Sequence, residues 1–154
     1  MVFRGEQIMN LGFFVPTSAG TPQNTKIYNF LNNSVEDLTS ASVFFNDTGF
    51  NPVAPRFGMF DSADMWSFSG NLICTTIDNL RRAVSTVNNI KLAYLFSSSE
   101  DIERNLFDFV GIAQTYKVLV DNLVDYNTFY RLTGHKPVLV EDWSVDKLKE
   151  IFNG

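Results

Sequence analysis

Scarcity narrows the field first. Of 154 residues only one is cysteine, so neither a disulfide framework nor a multi-cysteine zinc cluster can form within the chain. That residue, Cys74, lies in the apolar stretch LICTT, where a small thiol serves as an inert core residue. One histidine, His135, stands in the turn GHKP, which leaves little for base-assisted nucleophilic catalysis. Cations are outnumbered, with 12 Lys and Arg against 17 Asp and Glu, and the net charge of −5 disfavours attraction to nucleic acid or anionic membranes. No apolar run approaches the roughly 20 residues of a membrane helix. The opening MVFRGEQIMNLGFFV lacks the basic start, long apolar core and small-residue cleavage site of a signal peptide. The expectation is a cytoplasmic protein with no nucleic-acid and no membrane partner.

Apolar material is plentiful by contrast. Hydrophobic residues make up 45% of the chain and include 15 Phe, 5 Tyr and 2 Trp, enough for a sizeable core in one domain spanning 1–154. Short apolar strands recur, each followed by a loop of Ser, Thr, Asn, Asp or Gly and then a helix. LGFFVPTSAGTPQN (11–24), LICTTIDNLRRAV (72–84), YKVLVDNLVDYNTFY (116–130) and PVLVEDWSVDKLKEIF (137–152) are the clearest instances. Strands are predicted at Ile8–Val15, Ser42–Asn46, Phe57–Phe60, Leu72–Thr75, Lys91–Phe96, Lys117–Asp121 and Pro137–Val140. Helices are predicted at Gln23–Asn32, from Thr76 to Val87 with a buried stripe of Ile77, Leu80, Val84 and Val87, from Ser98 or Ser99 to about Val110, at Asp125–Thr133 closed by Gly134, and at Val145–Phe152 capped by Ser144. Asn88 and Asn89 are expected to end the second helix. Segment 48–57, TGFNPVAPRF, reads as a lid or a long connection. This alternation is that of an α/β, Rossmann-like fold, a mostly parallel sheet of six or seven strands with helices on both faces.

In such a sheet ligands bind beyond the carboxyl ends of the strands. The first strand is followed by TSAGT, not GxGxxG, and there is no GxxxxGK[ST] loop, so nucleotide-triphosphatase and dinucleotide readings are disfavoured. Pro16, Thr17 and Ser18 stand where a phospho-acceptor receiver would need acids, and neither a GxSxG elbow nor a DxD motif occurs. What remains is a ring of small polar residues at the strand ends: Thr17, Ser18 and Gly20, then Thr75, Thr76 and Asn79, then Ser97 and Ser98, then Asp121 and Asn122. With helix-start amides, these groups suit a phosphate or a sugar, and they equally suit ordinary capping. Arg81 and Arg82 are the paired cations nearest such a loop and are expected to face solvent. Asp61 and Asp64 are nearest to a metal-ligand spacing, yet helix capping is the simpler role, so no metal is expected.

The run FGMFDSADMWSFSGNLICTTIDNLRRAV, then KLAYLF, then YKVLVDNLVDYNTFYRLTGHKPVLVEDWSVDKL, resembles a group of short glycosyltransferase-like proteins of T4-type phages and cyanophages. The likeness covers about Phe57 to Leu148, together with the polar loop after the first strand. Its marks are Trp66 ahead of a G-N-x-I-x-T-S-like turn, matched by Gly70, Asn71, Ile73, Thr75 and Thr76, and a late V-E-D at Val140, Glu141 and Asp142. The resemblance implies one Rossmann-like half of a GT-B enzyme, residing in the infected host's cytoplasm. It implies a glycan or nucleotide-sugar as ligand, the latter as donor, with Asp61, Asp64 or Glu141 as general-base candidates. GT-B enzymes pair two halves and this chain has room for one, so weak or absent catalysis is expected, with a second copy or another protein as a completing partner. The alternative is a noncatalytic phage accessory protein that binds a host or viral protein through exposed aromatic residues, for which Trp66, Phe68, Phe50 and Phe57 are the candidate cluster.

Overall fold

Strand β1 (Met9–Thr17) is apolar on both sides. Leu11, Phe13 and Val15 enter one core layer and Phe14 the other, the pattern of a strand inside a parallel sheet. The structure, a computed structural model, describes residues 9–86, 89–101 and 104–153. Around β1 lie β2 (Leu38–Asp47), β3 (Gly58–Asp61), β4 (Gly70–Cys74), β5 (Ile90–Leu95), β6 (Lys117–Val120) and β7 (Val138–Leu139). Their order is β3-β2-β1-β4-β5-β6-β7 and every pairing is parallel. Phe13 stands opposite Val43 on one side and Ile73 on the other. Strand order reverses at β1, which makes the gap between β1 and β4 the switch point of a Rossmann-like α/β sheet.

Helices α1 (Pro22–Ser34) and α6 (Val145–Asn153) cover one face. Helices α2 (Ile77–Thr86), α4 (Leu106–Thr115) and α5 (Leu123–Thr133) cover the other. On the first face Phe13 packs edge-on against Phe30 and Trp143. On the second Phe96, Phe109 and Phe129 form a buried triangle with centroids 5.3–6.1 Å apart. The helix ends are legible chemically. Thr21 caps α1 ahead of Pro22, Asn122 caps α5, Ser144 caps α6, and Gly134 closes α5 in the left-handed conformation at φ 75°.

Several boundaries differ from the sequence reading. β2 begins at Leu38 because the polar stretch Thr39–Ser42 still pairs with β1 through its backbone, Ser40 opposite Asn10. β1 runs on through Pro16 to Thr17, since pairing with β4 already stops at Phe14 and the missing N–H leaves no ladder bond unmade there. The helix expected from Ser98 to Val110 is two helices, α3 (Ser98–Asp101) and α4, and Asn105 starts the second by accepting from the Phe107 N–H at 2.8 Å. In α2 the buried stripe is Ile77, Leu80 and Ala83; Val84, one residue further round the helix, is half exposed. Ile8, Val87 and Asn88 lie outside the described residues.

Segment 48–57 replaces the helix that would link β2 to β3. Asn32 of α1 donates to the Ala54 carbonyl at 3.0 Å and accepts from the Arg56 N–H at 2.7 Å, while Val53 packs into the core. It is a stapled connection.

Candidate functional site

The ring of small polar residues does assemble along the carboxyl ends of β1, β4, β5 and β6, but nearly every member is already spoken for. Thr75 is buried and bonds the Phe14 carbonyl through both its N–H (3.1 Å) and its hydroxyl (3.3 Å), tying β4 to β1. Thr76 accepts from the Asn79 N–H at 3.2 Å and so caps α2. Ser97 is within 2.7 Å of Ser99, hydroxyl to hydroxyl, and accepts at its carbonyl from the Glu100 and Asp101 N–H groups. The Ser98 N–H donates to the buried Asp125 carboxylate at 3.3 Å. Asn122 joins Asp121 and Asp125, and Asp121 also pairs with Lys26 at 3.5 Å.

The loop after β1 is equally committed. N–H groups of Ser18, Ala19, Gly20 and Thr21 donate to the Asp47 carbonyl, the Thr17 hydroxyl, the Phe50 carbonyl and the Ala19 carbonyl respectively. Asn24, buried, ties the loop from inside through bonds to the Thr17 carbonyl at 2.8 Å and the Ala19 carbonyl at 2.9 Å. The Tyr28 hydroxyl, its pKa pushed up to about 12 by burial, donates to the Ser18 carbonyl at 2.9 Å. Gly20 is pressed onto the 48–57 segment, where a Cβ would sit 2.6 Å from Pro52.

A cleft of about 520 Å³ opens at the switch point. Pro16 from β1 and Asn46 and Asp47 from β2 form one wall; Thr76, which caps α2, with Asp78, Asn79 and Arg82 of that helix form another; Glu100, Asp101 and Arg104 close it. The size suits a small-molecule ligand. Two of its charges cancel, because Arg104 bonds Asp78 at 3.0 Å. Asp101 is 5% exposed, and its carboxylate accepts from the Tyr94 hydroxyl at 2.6 Å and from the Ile77 N–H at 3.0 Å, the first amide of α2. Burial, aided by the neighbouring Asp78 charge, holds its pKa above the usual carboxylate range despite those two donors and Arg104. Burial and the Asp101 charge raise Glu100 as well, and burial pushes the Tyr94 hydroxyl far up, so it stays a donor.

Asn79 stands apart. It is 4% exposed and its Nδ2 has no hydrogen-bond partner. The Gln23 Oε1 is also unpaired. An orphaned buried amide is costly, and the Asn79 nitrogen is itself closed off from the cleft that the residue lines.

The other sequence-expected residues lie elsewhere. Asp61, at the end of β3, caps a 3-10 turn through the Ala63 N–H at 2.9 Å, and Asp64 borders a separate hollow beside Phe60 and Trp66. Glu141 follows β7 at the opposite sheet edge, about 29 Å away across six strand spacings, so Asp61 and Glu141 do not share one substrate. His135 is exposed beside Lys117, the first residue of β6, and therefore at the far end of the strands from the cleft. Arg81 reaches sideways to Asp108 of α4. Trp66 and Phe50 are exposed, but Phe57 is buried in one core layer and Phe68 packs on the other, so the four aromatics form no common patch. Cys74 is fully buried, its thiol pushed up by burial. Among the described residues no group of three His, Cys, Asp or Glu is placed to hold a metal ion, and no helix is long and apolar enough to cross a membrane.

The residues missed by sequence reasoning are Asp47, Glu100, Asp101 and Arg104. Asp47 did carry a signal, an acid closing the second strand where Rossmann-like domains read a ribose hydroxyl. Comparisons with protein-family models, curated proteins and solved structures find no match to this chain.

Proposed function

We propose that this chain is a glycosyltransferase-like domain that binds a carbohydrate ligand, a glycan or a nucleotide-sugar, in the switch-point cleft, and that it binds without completing a transferase on its own. The observation that carries this reading is the switch-point cleft of about 520 Å³ lined by Asp47, Asn79, Glu100 and Arg82. Sugar hydroxyls both donate and accept, so carboxylates and a guanidinium together match them better than they match an apolar ligand. The reading also gives a location to the resemblance of segment 57–148 to phage glycosyltransferase-like proteins, because Thr75, Thr76 and Asn79 belong to that segment. The candidate acids Asp61, Asp64 and Glu141 all lie outside the cleft, which supports binding over turnover.

A thermal-shift titration tests it, because a ligand that binds only native protein raises Tm by linkage, about 2.7 kcal/mol of stabilisation at 100 times Kd. Wild type is expected to shift with at least one glycan or nucleotide-sugar, and Asn79→Leu with none. A shift of the same size in Asn79→Leu removes the cleft from the reading.

A second reading, a noncatalytic accessory protein that engages another protein, draws on the groove between α2 and α4. Phe107 is 80% exposed there beside Val84, over about 350 Å³ of apolar hollow. Light scattering after size exclusion, with wild type against Phe107→Ser, reads self-association through that groove.

A further inference from the structure

Helices α2 and α4 are tied together by the ion pair of Arg81 with Asp108 and leave between them an apolar hollow of about 350 Å³. Leu80 and Ile112 are buried at its base, Val84 is half exposed at its rim, and Phe107 stands at its edge almost wholly in water. Phe107 belongs to neither core layer, and an exposed aromatic beside an open apolar hollow marks an interaction surface. Gly111 lies one turn along α4 from Phe107, about 6 Å along the helix axis. A Cβ added at Gly111 would meet no atom within 4 Å. One helix face thus carries a knob and, one turn on, a hole.

Resting on the second reading above, in which this groove engages a protein, we infer that its occupant is a second copy of the chain, paired about a two-fold axis that sets α4 antiparallel to its counterpart and seats each Phe107 in the other copy's hollow over Gly111. Two-fold pairing requires a patch complementary to itself. A knob and a hole four residues apart on one helix meet that requirement, because turning the helix about the point midway between them exchanges their places. The missing Cβ at Gly111 lets the two backbones come close. Charge favours the same face. With a net charge of −5 two copies repel on average, whereas the charged residues lining the groove are one cation and one anion, Arg81 and Asp108. They neutralise each other within a copy and present opposite charges across the axis.

The test is sedimentation velocity on the full chain from about 1 to about 500 µM, with wild type, Phe107→Ser and Gly111→Leu. Both positions are exposed, so the variants are expected to fold, which circular dichroism checks. Wild type is expected to pass from monomer toward dimer over that range, and each variant to need about tenfold more protein or beyond to do so. Gly111→Leu discriminates by the sign of its effect. Leucine adds apolar surface, so unspecific hydrophobic association would strengthen, while a filled hollow keeps the opposing Phe107 ring out and weakens the pairing. A dimer lost in Phe107→Ser but kept or strengthened in Gly111→Leu overturns the two-fold pairing and leaves the groove as a protein-binding surface. A dimer indifferent to both variants overturns the pairing and the groove reading together. Wild type that stays monomeric throughout overturns the inference and leaves the groove to a protein other than this chain.

Discussion

Asn79 and Asp101 both line the switch-point cleft and carry opposite burdens. Asn79 keeps a donor unpaired in the free protein, so replacing it with the similarly sized Leu should raise stability by about 1 kcal/mol in urea unfolding while abolishing ligand binding. A loss of stability instead would mean that its amide already has a structural partner. Asp101 carries a charge that burial disfavours. Because its native pKa lies above its ordinary value of 3.8, the native state holds the proton to higher pH than the unfolded chain does. The associated stability is therefore complete below that value and lost as pH rises through the native pKa. Asp101→Asn, whose carbonyl oxygen can accept from both Tyr94 and Ile77, should match wild type in acid and melt progressively higher than wild type as pH rises from about 4 to 7. Thermal melts across that range check the sign, and a gap that closes with rising pH contradicts it.

At the scale of elements, the loops that shape the cleft are held by single polar side chains. Asn24, buried at the start of α1, makes both interior bonds of the β1 to α1 loop, so Asn24→Ala should cost about 1–3 kcal/mol of stability in denaturant unfolding. Asn105→Ala removes an exposed N-cap and should cost about 1 kcal/mol. The contrast between these helices also shows what could be read in advance. The Ser144 start of α6 and the Gly134 stop of α5 were legible because capping is a local chemistry with a short sequence signature. The break between α3 and α4 was not, because it arises when Asp101 turns inward to Tyr94 and Ile77, partners 7 and 24 residues away. Val84 was misassigned for a related reason: an apolar residue one position beyond a helix stripe looks the same in sequence whether it is covered or bare.

At the scale of the whole molecule, strand order decides where chemistry can occur. Polar residues follow most of the strands, and the cleft opens where strand order reverses, bounded by the ends of β1 and β2, the start of α2, and Glu100, Asp101 and Arg104. The net charge of −5 should leave an uncharged ligand's affinity almost unchanged, within about twofold, between low and high salt, because screening acts only between charges. Calorimetry with the bound sugar at several NaCl concentrations measures this; a steep salt dependence would point to an anionic ligand instead.

The sequence by itself determined the Rossmann-like alternation, the apolar identity of its central strands and the caps at Ser144 and Gly134, because each follows from periodicity or from bonds within a few residues. The ring of polar residues at the strand ends was equally readable as composition. Only the tertiary structure decided which of those groups were free. The amides of 18–21, Thr75, Thr76 and Asn122 are satisfied, while the Asn79 amide is not, and that division depends on partners brought from distant strands and loops. The separation of Asp61 from Glu141 was likewise fixed by strand order, since residues that follow neighbouring motifs in the chain can stand at opposite edges of one sheet. A site is a set of unsatisfied groups in a shared space, and satisfaction is a property of the packed molecule.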